Sequence, residues 1–309
     1  MTGREPDAAD LVAAFDLGSN TARGLLARLL PDGSALVLMA AQCMTALGRG
    51  LSETGALDGN GLASTVSFVE RALAEWHHPR RVFAVATAAA RDATNGEELL
   101  ARLERETGVR AQVISGEEEG RLSFRGALAL APEFATQGPA VVDVGGRSTE
   151  TVVEQAGSLH VVSVAVGARS LTETCLPSDP PARAELAEAR RVAREGLGPA
   201  LLALRERPVV AVGGTAQAVA LLNRGGRTVG VRALGRLAGR LCRVPLQRRW
   251  AMMPFDPERA EIICGGLAIL SVLSLAAAGN RLFLSDGGVR EGLLLERTAA
   301  PRLLPGPGA

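Results

Sequence analysis

The sequence predicts an α/β fold made of two related domains. Apolar runs typical of β-strands alternate with helix-like stretches along the chain, and one acidic glycine turn occurs twice. In addition, 47% of the 309 residues are hydrophobic, which is enough for a large core. The length is also consistent with two domains.

Short runs rich in β-branched and apolar residues predict the strands. In chain order these runs are LVAAFDLGS at 11–19, VFAVAT at 82–87, AQVIS at 111–115, AVVDVGG at 140–146, SLHVVSVAVG at 158–167, PVVAVGGT at 208–215 and RLFLSDGG at 281–288.

Helix-like stretches lie between these runs. Residues 61–76 carry apolar side chains at helical spacing, residues 95–107 follow a capping Thr-Asn pair, and residues 182–204 are rich in Ala, Arg, Glu and Leu. The uncharged segment 262–279 is near the lower length limit for a membrane span. Its glycines and serines make it only moderately apolar, so we predict a buried core helix there.

The acidic turn that occurs twice indicates an internal duplication. The segment FDLGSNT at 15–21 matches VDVGGRST at 142–149, and each contains an apolar residue, Asp, an apolar residue, Gly, a small residue and a polar residue. We predict that each copy forms the turn of a β-hairpin that opens a domain. The N-terminal domain is placed at residues 8–127 and the C-terminal domain at 128–305, whose last helix is able to pack back on the first domain.

Composition excludes several classes of function. The net charge of +1 gives no bulk electrostatic reason to expect binding to nucleic acid or membrane. All basic residues are arginines, which excludes Walker-A phosphate loops and Schiff-base lysines. The four cysteines are scattered without a CxxC pair, so we expect no structural zinc and a cytoplasmic protein.

The two acidic turns are candidate phosphate sites. In a tight glycine turn, backbone N–H groups can converge on an anion because no Cβ blocks the approach. Hydroxyl groups add further donors; they belong to Ser19, Thr21, Ser148 and Thr149. Asp16 and Asp143 would repel phosphate unless a cation lay between them, and Mg²⁺ prefers such oxygen ligands. Ordinary hairpin turns are the alternative, and the matched acids of the two copies argue against it.

Three consecutive glutamates open a helix-like segment, ISGEEEGRLSFRGAL at 114–128. Acidic residues in the first turn of a helix are common because they interact favourably with the helix dipole, and spacing alone favours this explanation. The functional alternative is that one glutamate takes a proton from a water molecule.

Two further glycine turns are ambiguous. Gly213, Gly214 and Thr215 follow the strand PVVAV and can donate N–H groups, but they do not form the GxGxxG pattern of dinucleotide sites. The segment SDGGVREGLLLE at 285–296 predicts a turn and a helix with Arg290 and Glu291 in its first turn. A surface turn before a packing helix explains this segment as well as a ligand role does.

Taken together, nine segments in order resemble the exopolyphosphatase/guanosine-pentaphosphate phosphohydrolase (Ppx/GppA) family. They are AAFDLGSNTARGLLAR, LGRGL, ATAAARDATN, VISGEEEGRLSFRG, VVDVGGRSTETVV, VGARSLTETCLPSDPP, VGGTAQAVALL, ERAEIICGGLAIL and LSDGGVREGLLLE. The resemblance implies two actin-like (ribonuclease H-like) domains with a cleft between them. It also implies a metal-dependent hydrolase that removes terminal phosphate from inorganic polyphosphate or, in some relatives, from guanosine pentaphosphate.

The resemblance assigns roles to individual residues. Glu119, beside Glu118, matches the proposed general base, while Asp143 and Glu150 match residues that bind Mg²⁺ (or Mn²⁺) and position the water. Glu150 is therefore expected to be catalytic as well. The expected phosphate-binding residues are Asp16, Gly18, Ser19, Asn20, Thr21, Arg91, Gly145, Gly146, Arg147, Ser148, Gly213, Gly214 and Thr215. A homodimer is expected from the family.

Three departures from the family pattern bear on the substrate range, although the retained carboxylates predict an active enzyme. Arg147 stands where relatives have a third glycine, Ala46 stands where they have an arginine, and Arg169 is displaced by one position. Arg147 and Ala46 favour an alternative, a catalytically weak sensor that binds polyphosphate or guanosine tetraphosphate. An actin-fold kinase is a further alternative, against which the SGEEEG and REGLLLE segments argue.

Overall fold

The computed structural model describes residues 10–306 of the chain. Contacts divide these residues into two compact units. Unit 1 comprises the described residues up to Leu130 together with those from Val289 onward, and unit 2 comprises Ala131–Gly288. Each unit contains a β-sheet and α-helices, so the predicted α/β class is confirmed. Residues 8 and 9 of the predicted N-terminal domain lie outside the described residues.

The strands, in chain order, are β1 (Leu11–Leu17), β2 (Thr21–Leu29), β3 (Ala35–Met44), β4 (Arg81–Ala86), β5 (Ala111–Val113), β6 (Ala140–Val144), β7 (Thr149–Gln155), β8 (Ser158–Val164), β9 (Val209–Val212), β10 (Thr228–Gly230), β11 (Arg281–Leu284) and β12 (Leu303–Leu304).

The α-helices are α1 (Leu51–Thr54), α2 (Gly59–Glu75), α3 (Ala88–Asp92), α4 (Gly96–Thr107), α5 (Gly116–Ala129), α6 (Ala168–Cys175), α7 (Arg183–Gly196), α8 (Gly198–Ala203), α9 (Gly214–Leu222), α10 (Val231–Leu241), α11 (Leu246–Met252), α12 (Ile263–Ala276) and α13 (Val289–Thr298). Short 3₁₀ turns lie at Pro132–Phe134, Glu258–Glu261 and Ala278–Asn280.

Five strands of each sheet repeat one topology, and the sixth strand lies beside β3 in unit 1 and beside β11 in unit 2. Within the described residues, the sheet of unit 1 has the order β12-β3-β2-β1-β4-β5, and that of unit 2 has the order β10-β11-β9-β6-β7-β8. In unit 1, β1, β2 and β3 form an antiparallel meander, to which β4 and β5 are added in parallel. In unit 2, β6, β7 and β8 form the same meander, to which β9 and β11 are added in parallel. The repeated topology agrees with the internal duplication predicted from the acidic turns.

The apolar segment predicted at 262–279 forms the central helix of unit 2. It is α12, and most of its residues are buried in the core that covers the second sheet. The prediction of a buried core helix is therefore confirmed. In the described part of the chain, no helix combines the length and hydropathy needed to cross a membrane.

The single helix predicted at 182–204 is divided into α7 and α8. The break lies at Leu197, and Pro199 follows it in the first turn of α8. A proline inside a continuous helix lacks the N–H donor and its ring clashes with the carbonyl four residues earlier, whereas the first turn accepts it. The composition of the segment indicated helix correctly but not this division.

The last helix belongs to unit 1 and packs on α5. Glu296 of α13 accepts hydrogen bonds from Arg121 and Arg125 of α5, the second at 3.1 Å. At the start of α13, Arg290 donates to Glu291 at 2.7 Å and to the Gly24 carbonyl of β2 at 3.3 Å. These contacts favour a structural role for Arg290 and Glu291, the simpler of the two alternatives that the sequence left open.

Candidate functional site

The two acidic turns have the same backbone geometry. In unit 1 the Gly18 N–H donates to the Thr21 carbonyl at 3.2 Å, and in unit 2 the Gly145 N–H donates to the Ser148 carbonyl at 3.0 Å. A Cβ added to either glycine would lie 2.9 or 3.0 Å from that same carbonyl oxygen, at or below the limit that side chains tolerate. Both turns join antiparallel strands, so the predicted hairpins are confirmed.

In unit 2 the carbonyls of the turn point toward α6. The Gly145 carbonyl accepts from Ala168 N–H at 2.9 Å, and the Gly146 carbonyl accepts from Arg169 N–H at 2.7 Å. In a planar trans peptide the C=O and N–H groups point in opposite directions. The N–H groups that follow these two carbonyls, those of Gly146 and Arg147, therefore point away from α6. Such adjacent amides form an anion-binding concavity.

The turn of unit 1 is fixed in the same way by a different segment. The Ser19 carbonyl accepts from Gly48 N–H at 2.7 Å, and the Asn20 carbonyl accepts from the N–H groups of Thr45 and Ala46 at 3.0 and 3.1 Å. The N–H of Asn20 is therefore turned away from this segment. Ala46 acts here through its backbone, so the missing arginine side chain leaves the hydrogen bonds of the turn in place.

The four hydroxyl groups proposed as donors differ in their surroundings. Ser148 is 5% exposed, and within residues 10–306 its hydroxyl makes no hydrogen bond, which leaves it available to a ligand. The Ser19 hydroxyl accepts from Ala89 N–H at 3.1 Å and keeps its own proton. In contrast, Thr149 donates to the Val166 carbonyl at 2.6 Å and Thr21 donates to the Met44 sulfur at 2.9 Å. As hydroxyl donors to a ligand, Thr149 and Thr21 are therefore poorly suited.

Among the three glutamates of α5, burial distinguishes Glu119. It is 6% exposed, whereas Glu117 is exposed and Glu118 is partly exposed. Ser115 caps the helix, since its side chain accepts from Glu118 N–H at 3.1 Å. The cap accounts for an acidic first turn but not for a buried carboxylate, which is costly in an apolar setting unless it is paired.

Arg91 of α3 is the cation beside Glu119. Its Nη1 lies 3.5 Å from Glu119 Oε2 and donates to the Ile114 carbonyl at 2.9 Å. Its side chain is 29% exposed. The structure thus brings together Glu119, which the sequence analysis expected to be the general base, and Arg91, which it expected to bind phosphate. Arg91 pairs with the Glu119 carboxylate while part of its side chain stays exposed.

Asp143 and Glu150 face each other across neighbouring strands. They form a directly opposed pair of β6 and β7, and Glu150 is opposed in turn by Ser163 of β8. Opposed residues of antiparallel strands lie on one face of the sheet, about 4.5–5.5 Å apart at Cβ. Glu150 is fully buried, and its Oε1 accepts from Ser163 Oγ at 2.8 Å. Ser163 was not identified from the sequence.

The opposed carboxylates fit a divalent cation that also uses oxygens of the substrate. The described residues contain no group of three or more His, Cys, Asp or Glu able to enclose a metal ion. Mg²⁺ is commonly held by one or two carboxylates, with substrate phosphates and water filling the other positions. Asp16 differs from Asp143 in this respect, because its opposed residue on β2 is Arg23. The carboxylate pair therefore indicates that unit 2, rather than unit 1, would bind the metal ion.

Gly213 allows Asp143 to lie at the carboxyl end of β9. Gly213 has a φ of +92°, and a Cβ there would lie 2.6 Å from the Val144 carbonyl oxygen and 2.8 Å from Asp143 Oδ1. Thr215, two residues later, is fully buried, and a Cβ on Gly266 of α12 would lie 2.5 Å from its Oγ1. Thr215 can thus reach a ligand only through its backbone, at the N-terminus of α9.

Gly213→Ala is expected to destabilise unit 2 and to displace Asp143. A positive φ and a clash with backbone and carboxylate together cost about 1–3 kcal/mol in the free energy of unfolding. Denaturant titration measures this loss. The control is Gly198→Ala, at a position with no heavy atom within 4 Å of the added Cβ. Equal stability of the two variants would contradict the proposed close approach.

Arg147 is directed toward a second acidic residue. Its Nη1 lies 3.7 Å from Glu173 Oε2, and Arg169 lies 3.7 Å from the other oxygen of Glu173 and 3.5 Å from Glu261 Oε2. Both arginine side chains are largely buried, at 13% and 5% exposed. Arg147 therefore does not fill the turn, and its backbone remains in the geometry described above. Glu173 and Glu261 were not identified from the sequence.

Comparison with known proteins decides the family. The model of the Ppx/GppA phosphatase family matches residues 32–300. The chain belongs to this family. Exopolyphosphatase 2 of Mycobacterium tuberculosis is 33% identical over 315 aligned positions, which cover 92% of this chain and 97% of that protein. The Ppx/GppA resemblance inferred from the nine segments is therefore confirmed.

Solved structures support the same assignment. The Ppx/GppA family member of Aquifex aeolicus has a TM-score of 0.73 at 29% identity and covers 94% of this chain and 97% of its own. An exopolyphosphatase of Cytophaga hutchinsonii has a TM-score of 0.84 and covers 94% and 98%, but at 20% identity it bears on the fold alone. The predicted actin-like α/β architecture is confirmed, while the cleft remains a prediction.

Proposed function

We propose that the protein is an exopolyphosphatase, a hydrolase that removes the terminal phosphate of inorganic polyphosphate. The observation that carries the proposal is the matched pair of glycine turns, one with a carboxylate pair beside it, in a Ppx/GppA chain. Similarity to exopolyphosphatase 2 over nearly the whole chain supports the substrate class.

Phosphate would be bound by backbone N–H groups of both turns, those that point away from α6 in unit 2 and away from residues 45–48 in unit 1. Gly146, Arg147 and the Ser148 hydroxyl supply donors in unit 2, and Asn20 supplies one in unit 1. Preorganised backbone donors stabilise phosphoryl oxygens without reorganisation during the reaction. We expect each turn to bind phosphate groups of polyphosphate.

Asp143 and Glu150 would hold the divalent cation, which we propose to be Mg²⁺ or Mn²⁺. A cation at these carboxylates neutralises the charge that builds on the phosphoryl oxygens. Ser163 orients Glu150 through its hydrogen bond. Without a cation, the two opposed carboxylates would repel both each other and the substrate.

Glu119 would take the proton from the attacking water. The water oxygen forms a bond to the terminal phosphorus, the bridging P–O bond breaks, and the products are orthophosphate and a chain shorter by one unit. Arg91 orients the carboxylate and supplies positive charge near the transferred group. Positioning of the reacting groups and electrostatic stabilisation together account for most catalysis in phosphoryl transfer.

The test is phosphate release from medium-length polyphosphate, compared with guanosine pentaphosphate, with and without Mg²⁺. We expect metal-dependent release that is faster from polyphosphate. Faster release from guanosine pentaphosphate would make that nucleotide the substrate. Tight binding of polyphosphate without release under either metal would replace the proposal with the sensor alternative.

A homodimer, expected from the family, and a cytoplasmic location, expected from the scattered cysteines, are part of the same proposal. Sedimentation of the purified protein at working concentration tests the first, and fractionation of cells tests the second. The catalytic proposal depends on neither result.

A further inference from the structure

A cavity of about 570 Å³ lies between α7 and α10 in unit 2. One wall consists of small residues of α10 and the residue that follows it, including Gly235, Gly239 and Cys242. These positions are spaced i, i+4 and i+7, so they lie on one face of the helix. The small side chains leave the space open, and its volume is within the range of ligand pockets, about 300–1,000 Å³.

The opposite wall and the rim carry three arginines. Arg183 and Arg190 are seven residues apart on α7 and share a face, while Arg243 lies just beyond α10. All three are exposed. In the part of the chain that the structure describes, their side chains make no ion pair and no hydrogen bond. No acidic residue lies among the described residues that line the cavity.

The acids of α7 are committed elsewhere. Glu185 accepts from Ser178 Oγ at 2.6 Å and from Ala182 N–H at 2.9 Å. Glu188 and Glu195 both pair with Arg191. The positive charge at the cavity is therefore not neutralised by its own helix, although the whole chain has a net charge of only +1.

We propose that this cavity binds an anion that carries several phosphate groups, such as an inorganic oligophosphate or a nucleoside polyphosphate. Three arginines line the cavity, and guanidinium groups suit phosphate oxygens because they carry positive charge and several N–H donors. The volume exceeds what a single orthophosphate needs. The site shares no residue with the proposed active site, and its existence does not depend on the proposed hydrolysis.

Two kinds of molecule can supply the phosphate groups that bind in this cavity. A distant stretch of the polyphosphate substrate can occupy the cavity, which would strengthen the binding of long chains. A separate phosphorylated small molecule can also occupy it, which would make the cavity a regulatory site. Chain-length dependence and nucleotide competition distinguish the two sources.

The test is calorimetric titration of the full chain with tripolyphosphate in the presence of EDTA. Removing divalent cations stops hydrolysis and weakens binding near Asp143 and Glu150, so the loss of affinity in a cavity variant reports on the arginine cavity. The variant Arg183→Gln/Arg190→Gln/Arg243→Gln is expected to raise the Kd at least about tenfold, since charge-assisted contacts to phosphate are lost. Tripolyphosphate binding that is unchanged in this variant would overturn the proposal, whether or not the protein hydrolyses polyphosphate.

The control variant removes the same charge from outside the cavity. Arg232→Gln/Arg236→Gln/Arg240→Gln lies on α10, and none of its positions lines the cavity. We expect its Kd to change by less than about twofold, which is the effect of net charge at moderate ionic strength. An equal loss in both variants would overturn the site in favour of nonspecific attraction.

Steady-state kinetics with Mg²⁺ then show which of the two kinds of ligand occupies the cavity. If the cavity holds a distant stretch of substrate, the cavity variant raises KM for long polyphosphate and leaves KM for tripolyphosphate unchanged. If it holds a separate ligand, both KM values are unchanged, and guanosine triphosphate displaces tripolyphosphate from the wild-type protein in EDTA.

Discussion

Replacing Glu119 with glutamine is expected to slow phosphate release by about 10²–10⁴-fold, the usual contribution of a general base. Glutamine has nearly the same shape, and its side-chain oxygen can still accept from Arg91, so the fold and polyphosphate binding should be almost unaffected. What the variant loses is the ability to take a proton from water. Steady-state phosphate release gives kcat and KM, and titration of the slow variant gives the affinity.

A matched control separates this effect from a general change in the helix. Glu117→Gln removes the same charge two residues earlier in α5, at an exposed position. We expect kcat to stay within about twofold of wild type, as for most surface substitutions. If Glu119→Gln turned over as fast as Glu117→Gln, Glu119 would not be the base.

Replacing Asp143 with asparagine is expected to have the second-largest effect. The variant keeps the size and hydrogen-bonding ability of the side chain but removes the charge that faces Glu150. Because changes around a bound metal commonly cost about 10–100-fold in affinity or activity, loss of a charged ligand should cost at least that much. The Mg²⁺ concentration for half-maximal activity should rise, and added Mg²⁺ should restore part of the rate.

The control for Asp143→Asn lies in the same sheet. Glu154→Gln removes an acid from the exposed end of β7, on the strand that carries Glu150. Phosphate release measured across a Mg²⁺ series should give the wild-type midpoint for this variant. An unshifted midpoint for Asp143→Asn would show that its carboxylate does not hold the cation.

The sequence predicted those parts of the site that are formed by residues close together along the chain. Both acidic turns were predictable because the apolar run, the acid and the glycine lie within a few positions and fix a hairpin together. The buried helix α12 was predictable because its composition is apolar throughout. In contrast, β3 was not predicted, since its sequence, ALVLMAAQCM, is apolar almost throughout and shows no alternation of polar and apolar residues.

Contacts between distant segments were not predictable. Ser163 reaches Glu150 only because β8 pairs with β7, and the Arg147 side chain pairs with Glu173 only because the turn docks on α6. Burial also changes the roles expected of two hydroxyl groups, because the Thr149 and Thr215 side chains lie in the packed interior rather than in an open turn. A single sequence indicates which residue types are present, but the tertiary contacts decide which polar atoms are already used.

The most direct test of the account is hydrolysis of polyphosphate in H₂¹⁸O, with mass analysis of both products. If Glu119 activates water for attack on the terminal phosphorus, each released orthophosphate contains one solvent oxygen and the shortened chain contains none. Label in the remaining chain, or transfer of phosphate to another acceptor without labelled orthophosphate, would contradict the proposed reaction.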